Sequence, residues 1–325
     1  RPRRQRQMCI RDRGRTELLE LVATPIEFGA SNLLSADRVK QPQKGLFGAL
    51  SILPAGSTVA EDTQVPDGQG SGAATRLTRA QVTVDAGPLG AAGDGGVFRE
   101  NLAIGHKIAN LRWKDGTAIA NVNQGELGRE GAEDSGFAGF NYGMEPSWFR
   151  FKLPPDVPFG NAGTLNSYGS IPNVQAMFAN ALVAGEPNSL PNGDPQTPVF
   201  LANAGQASRI HVLNGASADR DGTFILHGHV WQRDPFVCPG EADLNLEGLC
   251  LDSADTFDST ALGLNPIGKW MGGEEGMGHA YGHWPILFNA GGSGAVDGDY
   301  LFRDYTPSGN RNGQFGILRV NPVQP

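Results

Sequence analysis

Basic surface, long apolar runs, cysteine and histidine are all scarce in this chain. The formal net charge is −8. No basic face remains once the first fifteen residues are set aside, which argues against nucleic acid as a partner. No apolar run approaches the length of a membrane helix, so no helical membrane span is expected. Charged residues make up only 18 % of the chain, whereas Gly 46 and Pro 22 are abundant. That balance suits a loop-rich all-β protein better than a helical one. At 325 residues the chain is long enough for two domains with substantial cores.

Two of the three cysteines, Cys238 and Cys250, lie close together in an acidic, turn-rich stretch. A local disulfide between them would be worth about 3 kcal/mol if unstrained and would imply an oxidising compartment. The alternative is two separate free thiols. The third, Cys9, lies within the basic run at residues 1–13, which resembles the translation of sequencing-adapter DNA. The true N-terminus is then expected upstream, and the absence of a signal peptide carries no information about location.

Several stretches read as strands. Phe47 to Pro54 is a short apolar run ended by proline. Residues 58–96 are rich in Gly, Ala, Asp and Thr and read as a linker with one strand at Ala80 to Val84. Val97 to Trp113 reads as a strand entering a new domain, with His106 structural. Val174 to Leu182 reads as a short packed helix. Arg209 to Leu213 reads as a strand with His211 facing away from Ile210 and Val212. Thr223 to Trp231 (T-F-I-L-H-G-H-V-W) alternates, with Phe224 and Leu226 on one face and Ile225, His227 and His229 on the other. Two histidines so placed could hold one metal ion; otherwise one is packed and one solvated. A glycine-rich loop, Met271 to Pro285, adds His279 and His283 with Met277 nearby. It is either a further set of metal donors or a loop leading into the strand P-I-L-F.

Three of these regions resemble the multicopper oxidases. Thr223 to Trp231 resembles that family's H-x-F-x-L-H-G-H strand, in which three histidines bind copper. Only the third is kept, as His227; the other two positions fall on Gly222 and Ile225. Ser35 to Leu50 resembles the pattern H-S-H-x-x-x-Q-x-x-x-G-L-x-G-A-L. Gln41, Gly45, Leu46, Gly48, Ala49 and Leu50 match, but the histidines are Ser35 and Asp37. Gly298 to Val320 keeps the spacing of G-x-W-x-Y-H-C-H-x-x-x-H-x-x-x-x-M. The His-Cys-His triplet falls on Arg303, Asp304 and Tyr305, the later histidine on Gly309 and the axial methionine on Gln314.

The resemblance implies tandem cupredoxin-like Greek-key β-sandwiches with long loops. It places the C-terminal part of a first domain at residues 14–57, a linker at 58–96, and a second domain at 97–325 with its core at 193–325. The family's cofactor is copper and its activity is the oxidation of small reductants by dioxygen. A blue-copper centre needs a cysteine thiolate, which Asp304 cannot supply. The implied role is therefore a structural or binding segment whose partners are other cupredoxin domains of the same or a larger protein. The alternative is an oxidoreductase with a histidine-only copper site built from His227, His229, His279 and His283, taking a small reducing substrate. No catalytic residue is assigned, and a periplasmic or secreted location is implied.

Overall fold

A computed structural model describes residues 29–37, 41–42, 45–53, 56–61, 79–87, 96–108, 115–117, 137–146, 194–216, 222–233, 235, 269–275, 282–305 and 313–323. The basic run at 1–13, the helix expected at 174–182, Cys238, Cys250, Met277, His279 and Gly309 lie outside them.

Among the described residues the chain is all-β. The strands are β1 (Gly29–Leu34), β2 (Phe47–Ile52), β3 (Thr58–Glu61), β4 (Ala80–Asp85), β5 (Val97–Ile108), β6 (Phe137–Phe140), β7 (Val199–Asn203), β8 (Ala207–Ala216), β9 (Thr223–Leu226), β10 (Trp231–Gln232), β11 (Trp270–Met271), β12 (Glu274–Glu275), β13 (His283–Asn289), β14 (Gly298–Asp304) and β15 (Phe315–Asn321). One sheet runs β13-β8-β5-β4-β3, with β6 also paired to β5; the other runs β12-β9-β14-β15-β7. The pairs β5/β8 and β15/β7 are parallel and the rest of these ladders are antiparallel. The chain passes from one sheet to the other between β7 and β8, β8 and β9, and β13 and β14, so the two sheets form a single sandwich.

Alternation builds the core between them. β8 sends Ile210 and Val212 inward, and β9 sends Phe224 and Leu226; they meet Phe140, Phe200, Trp231, Ile286 and Phe302 in one buried cluster. The Phe302 ring is its hub, stacked on Phe200 at 5.2 Å and met edge-on by Phe140 at 5.4 Å. Such aromatic pairs add to plain area burial. Gly316, opposite Phe302 in the β14/β15 ladder, leaves room for that ring.

Within the stretch that composition reads as a linker, the strand expected at Ala80 to Val84 is β4, and residues 58–61 form a further strand, β3; both join the first sheet. Backbone pairing to the long β5 accounts for this, and the fully buried Val84 anchors β4 beside Phe98. Gln81 on β4 reaches across the sandwich to β7. Its side-chain oxygen accepts from the Leu201 N–H at 3.0 Å and its nitrogen donates to the Leu201 carbonyl at 2.9 Å. One amide thus bonds both backbone polar groups of Leu201.

The β1/β2 hairpin is antiparallel and separate from both sheets. It lies on the outer face of the first sheet, where Ala30 and Phe47 pack on Ile104 and Leu213.

Candidate functional site

Histidines and their partners define the regions with chemical potential. β9 ends at Leu226, and a turn through Gly228 at φ 73° follows. A side chain rarely adopts that conformation, which suits glycine. The turn separates the two histidines expected on one strand face: His227 is exposed and His229 is buried. The strand therefore ends directly before His227, and the alternation that would place both histidines on one face does not reach His229.

His229 is enclosed by its own hydrogen bonds. Its Nε2 accepts from the Gly291 N–H at 3.0 Å, and its Nδ1 lies 3.0 Å from the His227 carbonyl, to which it donates. The ring sits edge-on to Tyr300 and Phe288 at 4.6 and 5.1 Å. Burial lowers its pKa, partly offset by the bond to the His227 carbonyl. Both ring nitrogens are engaged within the protein, as a structural histidine requires.

His227 faces the end of β14. Arg303 Nε donates to His227 Nε2 at 3.2 Å, and Arg303 Nη1 donates to the carbonyls of Asp304 and Tyr305 at 3.0 and 3.1 Å. The guanidinium lies over the Tyr305 ring, 5.4 Å from its centroid. Burial and then the charge of Arg303 hold the His227 pKa below the usual imidazole range. Asp304 is buried, and its carboxylate accepts from the Thr223 N–H at 3.1 Å. Its own N–H donates to the Gln314 carbonyl at 3.1 Å. The structure thus joins Arg303 with His227, and Asp304 with Gln314, all on positions picked out by the copper motifs. Ser35 and Asp37 follow β1 and interact with each other, Ser35 Oγ donating to the Asp37 carbonyl at 2.7 Å.

His283 is exposed at the start of β13 in the first sheet, paired with Leu213, whereas His227 follows β9 of the second sheet. Among the described residues no group of three or more His, Cys, Asp or Glu side chains gathers as a metal site would require.

Two further groups are legible only in three dimensions. Glu100 on β5 lies between Arg209 Nε at 2.5 Å and His211 Nε2 at 2.9 Å, both on β8, and it accepts from Ser51 Oγ on β2 at 2.6 Å. All three charged or titratable side chains are buried. Burial alone would raise the Glu100 pKa, but His211 and Arg209 overcome it and hold the carboxyl at about 2. The set contains Ser, His and Glu, yet the carboxylate sits between hydroxyl and imidazole. A nucleophilic triad puts the imidazole in the middle, so this group is a clamp joining hairpin to sheet.

His106 is buried with no hydrogen-bond partner at either ring nitrogen. It stacks on Phe47 at 5.3 Å beside Tyr142, whose hydroxyl donates to the Phe47 carbonyl. Burial pushes its pKa down to about 3. Sequence spacing gave no sign of the Glu100 group, because its members are contributed by three separate strands.

No protein-family model matches the chain, and no curated protein matches it. Among solved structures it is similar to a multicopper oxidase, with 9 % identity and TM-score 0.31, over 76 % of this chain and 58 % of that one. It is also similar to Fet3p, a multicopper oxidase that functions in iron import, with 13 % identity and TM-score 0.30, over 68 % of this chain and 31 % of that one. A third likeness is to auracyanin from the photosynthetic bacterium Roseiflexus castenholzii, with 17 % identity and TM-score 0.21, over 38 % of this chain and 83 % of that one. The chain therefore spans less than two thirds of either oxidase. Overlaps this slight carry no argument about activity; the all-β sandwich is consistent with the cupredoxin-like class that the motifs imply.

Proposed function

We propose that this chain is a cupredoxin-like segment of a multicopper-oxidase-like protein that has lost the type 1 and trinuclear copper sites and serves a structural or binding role. The observation that carries this reading is the Arg303–His227 pair. His227 is the one retained ligand position, and its Nε2 lone pair is directed to a guanidinium rather than left open for a metal. Arginine stands where the motif has the first histidine of its triplet, and a permanent cation beside an imidazole opposes metal binding. Asp304, on the cysteine position, is engaged by the Thr223 N–H; a hard carboxylate does not replace a thiolate at a blue-copper centre. The residues on the motif positions do not fit the copper sites of the family.

Its partners on this reading are other cupredoxin domains of the same or a larger protein, in a periplasmic or secreted setting. Any oxidation of a small reductant would then take place on copper held by those domains.

Reconstitution of the full chain with Cu(I) and Cu(II), followed by metal analysis, visible absorption and paramagnetic resonance, tests the reading. The expected outcome is no stoichiometric copper and no blue thiolate band. About one copper per chain without that band, lost in His227→Ala, would replace it with the histidine-only site of His227, His229, His279 and His283.

A further inference from the structure

Arg303 differs from the ion-paired arginines Arg319 and Arg209. Arg319 is neutralised by Asp194 at 2.7 Å and Asp299 at 2.9 Å, and Arg209 by Glu100 at 2.5 Å. Arg303 is partly exposed, and every acceptor it touches among the described residues is neutral: one imidazole nitrogen and two backbone carbonyls. A guanidinium carries five N–H donors, one on Nε and two on each terminal nitrogen. Nε and Nη1 supply the three bonds described, which leaves both donors of Nη2 outside this set. The Tyr305 ring against one face of the guanidinium restricts it further. The side chain is thus ordered in advance, with no carboxylate among its described partners. A fixed fork of this kind recognises carboxylate or phosphate oxygens, since the entropy of ordering the arginine has already been spent in folding. His227 adds a second donor: with Nε2 accepting from Arg303, its ring proton resides on Nδ1 of an exposed side chain.

We propose that Arg303, with His227 and Tyr305 beside it, forms a binding site for a small oxyanion, either a carboxylate or a phosphate group. The site stands on the geometry of Arg303 and is independent of whether copper binds elsewhere in the chain. The net charge of −8 makes it a local feature rather than part of a general basic surface.

The full chain, labelled with nitrogen-15, is titrated with sodium phosphate and separately with sodium acetate at constant ionic strength, with sodium chloride as the control. The Arg303 Nε–H and His227 ring resonances are followed. The expected result is a saturable shift of both with phosphate or acetate but not with chloride. Saturation by phosphate alone assigns a phosphate site, and by acetate alone a carboxylate site. Arg303→Gln is expected to weaken binding about tenfold or more, and Arg303→Lys to weaken it less, because charge remains while the fork is lost. Should Arg303→Gln fail to fold, the Arg303→Lys titration and the wild-type resonances decide. Linear, non-saturating shifts, an equal response to chloride, or unchanged affinity in a folded Arg303 variant would overturn the proposal. Copper content in the same sample is a separate readout, so a failure of oxyanion binding is distinguishable from copper binding at His227.

Discussion

His106 is a buried imidazole whose ring nitrogens have no hydrogen-bond partner, and its cost to the fold depends on pH. The pKa falls from 6.5 to about 3 on folding, and burial is the cause. Between those values the unfolded chain binds a proton that the folded chain does not. Stability contributed by this site therefore declines as pH drops from about 6.5 toward 3. His106→Leu removes two unsatisfied polar atoms and keeps a side chain of similar size against Phe47. Stability near neutral pH is expected to rise by about 1–2 kcal/mol, with a smaller loss between about pH 7 and pH 4.5 than in the parent chain. Urea unfolding at both pH values measures this. An equal acid loss in the two proteins would mean that His106 is protonated in the folded state.

At the scale of single elements, β14 and β15 are closely packed. A Cβ added at Gly316 would lie 2.1 Å from Phe302 Cζ, and Phe302 is the hub of the aromatic core. The ring cannot move aside without disturbing Phe140, Phe200 and Phe224. Gly316→Ala is accordingly expected to destabilise the fold by about 1–3 kcal/mol or more, as overpacked cores do. Thermal or urea unfolding gives the value, and a change under about 0.5 kcal/mol would show that the two strands separate easily. The end of β9 shows the opposite situation, since the turn at Gly228 sends His227 to solvent and His229 inward.

Across the whole molecule, the hairpin is tied to the sandwich by groups that both weaken in acid. Glu100 has a folded pKa of about 2 against an ordinary value of 4.5, because His211 and Arg209 outweigh the opposing effect of burial. For a carboxyl lowered in this way, the stabilisation is present above about 4.5 and is lost as pH falls toward 2. His106 acts over the range from 6.5 down to about 3. The two effects have the same sign and overlapping windows. Their joint contribution is constant above about pH 6.5 and falls continuously below it, with the Glu100 part adding below about pH 4.5. Urea midpoints recorded across this range test the expectation; a stability maximum near pH 5 would contradict it.

Much of the all-β character was legible in the chain itself. The alternation in Phe224 and Leu226, and in Ile210 and Val212, reports which side chains face the core, because a strand turns successive residues to opposite faces. The short strand at Ala80 to Val84 was also legible, and it occupies β4. Its place in the sheet was not, since pairing to β5 is a long-range backbone contact with no local signature in a glycine-rich stretch. That residues 303, 304 and 305 fall on the His-Cys-His positions of the resembled motif could be read directly from the spacing. That Arg303 bonds to His227, 76 positions away, could not. Nor could the meeting of Ser51, Glu100, Arg209 and His211, which comes from strands far apart in sequence. Sequence determines residue types and local periodicity; tertiary packing decides which distant polar groups share a dry environment, and there each group's charge state and free donors depend on its neighbours.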